Sequence, residues 1–126
     1  MSAFRIPNRA VHAAVLALLS LAGATAGAQD WPTKPVRMIV GFPPGGSNDI
    51  VARVISPRLA EALGQQVVVE NRAGANAIIG TDYVAKSAPD GYTFLLGRLS
   101  PLVISPHTYA KLPYDTLNDF ATVTTV

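Results

Sequence analysis

The chain has 126 residues, with ten Lys and Arg against eight Asp and Glu, and no cysteine. A cysteine-free chain has neither a disulfide framework nor a thiolate metal site. Arg5 and Arg9 lie in the leading segment, and beyond them the charges balance at eight of each sign with no basic run. This excludes the electrostatic footprint of a nucleic-acid-binding protein.

Arg5 and Arg9 precede an apolar stretch, Ala10 to Ala24, that is interrupted only by His12, Ser20 and Gly23. Ala26-Gly27-Ala28 follows, with small residues at the spacing of a leader cleavage site. The stretch is short against the ~20 residues of a membrane span. The pattern predicts a cleaved signal peptide over residues 1–28 and hence export, with an uncleaved anchor as the alternative. Residues 29–126 would bury one modest core.

Two prolines in Asp30-Trp31-Pro32-Thr33-Lys34-Pro35 keep the lead-in extended. Val36 to Val40 reads as a first strand. The spacing of Ile50, Val51, Val54, Ile55, Leu59 and Leu63 predicts a helix over Ser47–Leu63, kinked or split at Pro57 and ended by Gly64. Gln66 to Asn71 is a second strand, whose consecutive valines predict burial on both faces. A loop follows, then a second helix over Ala77–Ala88, a turn at Pro89-Asp90-Gly91 and a third strand over Tyr92–Leu96. Ser100 to His107, with two prolines, reads as irregular, and Phe120 to Val126 as strand-like. The order βαβαβ with short loops predicts an α/β fold with a doubly wound parallel sheet.

In such sheets ligands bind beyond the carboxyl ends of the strands. Three loops lie there: Gly41–Asp49, Asn71–Ala77 and Gly97–Ser100. The first two feed helix N-termini, which offer unpaired N–H groups and a favourable dipole to an anion. Gly45 and Gly46 would let a ligand approach their amides closely. Ser47 either donates its hydroxyl to the ligand or caps the helix. Asp49, in the first turn, reads as a carboxylate that organises amides. Phe42 is either an apolar wall of the site or a core residue. Arg98, just after the third strand, is either a bidentate partner for a carboxylate or a solvated loop residue.

Signals for catalysis are weak. His107 is the single histidine after residue 28, between Pro106 and Thr108, and Asp90 and Asp115 read as turn residues. Glu70 lies 24 residues after Gly46, near where a ribose-binding acid would be, but Gly41-Phe42-Pro43-Pro44-Gly45-Gly46 is not G-x-G-x-x-G. No cofactor and no metal are expected.

Four blocks carry a family resemblance: WPTKPVRMIVGFPPGGSNDIVAR (residues 31–53), ALGQQVVVENRAGA (62–75), AKSAPDGYTFLLG (85–97) and KLPYDTLNDFATVT (111–124). In order and spacing they resemble the substrate-binding proteins of tripartite tricarboxylate transporters, the Bug family. The resemblance implies a periplasmic-binding-protein-like fold of two lobes that close on a small carboxylate solute. It further implies a monomer, not an enzyme, that serves membrane permease subunits. The loop Pro43 to Gly46 would grip one carboxylate, with ligand-side roles for Ser47 and Asp49. The second loop, Gly74 to Gly80, adds Asn76 and Ala77; Ala77 stands where the family usually has glycine. Arg98-Leu99-Ser100-Pro101 replaces the family's small and hydroxylated residues.

On this reading residues 29–120 form the first part of lobe one, and 121–126 begin the crossover strand to a second lobe. The chain is then the front of a longer protein, and alone it should bind little or nothing, because an unassisted helix N-terminus in water is screened. The alternatives are a truncated product without function and, further off, a fragment of a Rossmann-like nucleotide-binding enzyme.

Overall fold

The structure is a computed structural model that describes residues 31–126, so the expected signal peptide lies outside the described residues. Three strands, β1 (Val36–Val40), β2 (Val67–Asn71) and β3 (Thr93–Leu96), form a parallel sheet in the order β2-β1-β3. Helix α1 (Ser47–Leu63) joins β1 to β2. A short turn (Ala75–Ala77) and α2 (Ile78–Ala85) join β2 to β3. A π-helical turn (Ser100–Ile104) and α3 (Ser105–Thr108) follow.

β1 is central because its side chains are the most apolar, and Val36, Met38, Ile39 and Val40 are all but inaccessible. The strand period of two puts Met38 and Val40 on one face, in register with Val69, Phe94 and Leu96. Ala52, Ile55 and Leu59 of α1 pack there and complete the core. Arg37 and Ile39 face α2 on the other side. Arg37 forks onto Glu70 at 2.5 and 2.7 Å and donates to the Tyr83 hydroxyl of α2. Glu70 is therefore a structural ion-pair partner, held below its usual pKa by Arg37. The fold is thus α/β with helices on both faces of a parallel sheet.

Several elements differ from the sequence expectations. α1 runs unbroken through Pro57. The ring points to solvent, and Ile55 and Leu59 on either side of it hold both halves against the same sheet face. Only part of the apolar stripe of α1 is used: Ala52 and Ser56 are buried, whereas Ile50, Val51 and Val54 are exposed, Val54 to 68%. β2 is not covered on both faces; it is an edge strand, and Val68 is 40% exposed. The second helix is shorter than expected at both ends. Residues 100–108 are helical rather than irregular. Residues 120–126 form no strand ladder among the described residues, and Val123 and Val126 are exposed, because neither sheet edge lies alongside them.

Two glycines let α2 and its preceding loop close on β1. A Cβ at Gly80 would lie 2.9 Å from the Arg72 carbonyl oxygen and 3.0 Å from the Gly41 Cα. Both neighbours are backbone, which cannot swing aside. Gly80→Ala is expected to destabilise the fold by about 1–3 kcal/mol. Urea unfolding checks this, and an unchanged midpoint would show that α2 rides over β1 with slack.

Candidate functional site

The chain leaves β1, turns to one sheet edge at β2, and crosses back to the other edge at β3. The strand order therefore reverses between β1 and β3, and the crevice beyond their carboxyl ends is the place where such sheets take ligands. The loops after β1 and β3 flank that crevice.

In the first loop, Pro44 and Gly45 form a turn, and Gly45 takes φ 82°. That angle falls in the left-handed region where glycine carries no Cβ penalty. The Gly46 amide closes the turn on the Pro43 carbonyl at 3.3 Å, and the Gly46 carbonyl accepts the first helical bond from Ile50 at 3.0 Å. Gly46 is the N-cap and no side chain caps α1, so Ser47 does not serve as the cap. The Gly45 amide donates to Asp49 Oδ2 at 2.9 Å. Both glycine amides, expected to face a ligand, are thus engaged inside the loop. The donors left over are the first-turn amides of Ser47, Asn48 and Asp49, which find no backbone acceptor among the described residues. The exposed Ser47 hydroxyl stands beside them, and Pro43 lies exposed on the loop.

Asp49 is 3% exposed and fully engaged. Besides Gly45, its Oδ2 accepts from Arg53 Nε at 2.9 Å, and its Oδ1 accepts from Asn71 Nδ2 at 2.9 Å. The same Asn71 amide donates to the Phe42 carbonyl at 3.1 Å, and Arg53 reaches the Asn71 side-chain oxygen at 3.3 Å. These partners, Arg53 first and then the Gly45 amide and Asn71, hold the Asp49 carboxyl well below the usual carboxylate range. Asp49 therefore fastens the loop to the end of β2, rather than presenting an oxygen to the crevice. Arg53 and Asn71 were missed by sequence reasoning; the i, i+4 spacing of Asp49 and Arg53 was the available signal. Asn48 was also passed over, although its side-chain Nδ2 is buried without a hydrogen-bond partner.

The second loop is strained. Ala75, Asn76 and Ala77 have φ of 45°, 55° and 68°, three consecutive left-handed residues without a glycine among them. Asn76 donates its side-chain amide to Ser100 Oγ, which ties this loop to the one after β3. Ala77 is buried against Gly41 at the base of the loop, and its carbonyl accepts from Thr81 Oγ1 at 2.8 Å. Asn76 is thus held by a protein partner and Ala77 sits beneath the site.

From the third loop, the Arg98 guanidinium lies 5.3 Å from the Phe42 ring centroid, over the residue that begins the Pro-Pro-Gly-Gly turn. Phe42 is half-buried and packs against the core, as one of its two expected roles requires. The structure thus brings Phe42, the Gly45-Gly46 turn, Ser47, Asp49, Asn76 and Arg98 to one sheet edge. A groove of about 690 Å³ opens elsewhere, near Arg37, Tyr83 and Lys86. Its cations are paired with Glu70, Asp82 and Asp90, which marks it as a structural charge network. Among the described residues no group of acidic or histidine side chains is placed to hold a metal.

Two outcomes follow from the loop geometry. Asp49→Asn replaces an acceptor-only group by one that offers N–H to existing donors, and should lower Tm by about 5–10 °C at pH 7. Because the folded carboxyl has a lowered pKa, its contribution is present above the ordinary value of about 4 and is lost as pH falls below it. The gap between the two proteins should therefore narrow in acid, and thermal melts from pH 7 to 2 check it. Ala77→Gly should relieve the left-handed backbone and raise stability by about 0.5–1 kcal/mol. A loss of stability in urea unfolding would mean that the buried methyl outweighs the strain.

Comparison with known proteins bears on what such an edge does. Residues 51–126 match the family model described as tripartite tricarboxylate transporter family receptor. Protein BugT of Bordetella pertussis is 48% identical over 119 residues, which cover 89% of this chain and 36% of that protein. MatC from Rhodopseudomonas palustris, solved with bound malate, superposes with a TM-score of 0.69 at 37% identity over 71% of this chain and 31% of its own. An R. palustris protein solved with adipate gives a TM-score of 0.61 at 40% identity, covering 69% and 29%. The chain spans about a third of the length of these relatives. A parallel sheet with helices on both faces, an N-terminal edge loop and a matching family model lead to one assignment: the chain belongs to the tripartite tricarboxylate transporter family of receptors.

Proposed function

We propose that this chain supplies the first-lobe side of a cleft that captures a small carboxylate-bearing solute in the periplasm and presents it, as a monomer, to membrane permease subunits. The observation that carries this reading is the row of first-turn amides at Ser47, Asn48 and Asp49, without a backbone acceptor among the described residues, at a helix N-terminus beyond the carboxyl end of β1. Malate in MatC and adipate in the second R. palustris protein support a carboxylate as the ligand class. Residues 121–126 would begin the crossover to a second lobe. On this side alone the interaction is exposed and screened, so affinity in the millimolar range is expected.

Backbone amide shifts read such weak binding residue by residue. On titrating the full, isotope-labelled chain with malate or adipate, the Ser47, Asn48 and Asp49 amides should move first, with little change around Arg37 and Tyr83 on the opposite face. Shifts confined to other residues, or none at tens of millimolar of either solute, would sink the reading.

A further inference from the structure

We infer that Arg98 is a specificity-determining residue, which selects solutes with a second anionic group over monocarboxylates. The inference rests on the carboxylate-binding reading above and adds the class of solute. Residues 31–126 contain eight Lys and Arg. Six of them are spoken for: Lys34 by Asp90, Arg37 and Arg72 by Glu70, Arg53 by Asp49, Arg58 by Glu61 and Lys86 by Asp82. Arg98 and Lys111 have no carboxylate partner among the described residues, and of these Arg98 is the one at the crevice. It leaves β3 on one side of the point where the strand order reverses, and its guanidinium reaches to Phe42 on the other side.

The local charge balance gives this position its meaning. Asp49 and Arg53 neutralise each other, and the amides of Ser47, Asn48 and Asp49 are neutral donors suited to a single carboxylate. Arg98 therefore leaves the edge with one uncompensated positive charge. Stacking on the half-buried Phe42 ring limits the directions in which the exposed side chain can point, so a planar donor fork is held near the crevice. A monocarboxylate held by the amides has nothing to offer it. A solute with a second carboxylate can form a charge-assisted pair with it. Phe42 acts here as a positioning residue.

The test compares acids that differ by one carboxylate: malate with lactate, and adipate with hexanoate. Amide-shift titrations use the full chain as wild type, Arg98→Ala and Arg98→Lys. Because the pair is exposed, R98A should weaken malate and adipate by about two- to fivefold and leave lactate and hexanoate unchanged. R98K should recover part of the loss by keeping the charge without the fork, and the difference should shrink at high salt. Spectra of R98A without ligand should match wild type away from the crevice. Equal weakening of mono- and dicarboxylates, or no change in either, overturns the role of Arg98 while solute binding stands. If the wild-type chain binds none of the four acids, the carboxylate-binding reading falls and this inference falls with it.

Discussion

A carboxylate placed in the first buried turn of a helix must find donors or give up its charge. Asp49 finds Gly45, Arg53 and Asn71, and through them it decides the shape of everything in front of α1. The Gly45 amide is engaged by this bond and the Gly46 amide by the Pro43 carbonyl, which leaves the amides of Ser47, Asn48 and Asp49 as the donors in front of α1. Asn71 carries the same constraint across to β2 and to the Phe42 carbonyl, so the first loop is anchored at both ends and in the middle. A loop held in this way does not need to be ordered by a ligand, and the entropy of ordering it does not reduce affinity.

The second constraint is the close approach of backbone to backbone. Gly41 and Gly80 let Ala77 and Arg72 come within contact of β1, and this fixes the second loop against the first. The left-handed run at residues 75–77 is the consequence: the chain must reverse quickly to bring α2 over the sheet, and no glycine stands at the three positions that make the reversal. The Arg72 amide bond to the Val40 carbonyl at 2.8 Å and the Asn76–Ser100 bond hold the strained turn in place from both sides. Strain of this kind persists where its surroundings over-determine it.

How much of this was legible in the sequence follows from which forces act locally. β1, α1 and the βαβαβ order were readable because strand period, helix period and a Gly C-cap are short-range signals. The site loops were readable as loops at strand ends. What the first loop does with its amides was not, because the use of the Gly45 amide depends on a side chain that returns to it four residues later. The valines of β2 suggested two buried faces, yet burial depends on which neighbours are present, and β2 has a strand on one side only. Likewise Ile50, Val51 and Val54 keep helical spacing while facing away from the sheet, so the periodicity identified the helix but misjudged which side is covered. The helical turns over residues 100–108 escaped because two prolines read as breakers, whereas Pro101 stands in the first turn, where its missing N–H removes no bond, and Pro106 lies near the end of the short run.

The division of labour at the crevice follows from these constraints. Neutral amides from α1 follow a loop that is held by the buried Asp49 carboxylate and its partners, and they cannot be retuned without loosening that loop. Arg98 lies outside that network: it is exposed, unpaired among the described residues, and attached only by its stack on Phe42. A substitution there alters charge at the crevice at little structural expense, whereas one at Asp49, Asn71 or Gly80 disturbs the loop frame itself. On the proposed reading, recognition of one carboxylate would stay constant while preference for the rest of the solute changes, because the two tasks would fall on elements whose energies are nearly independent.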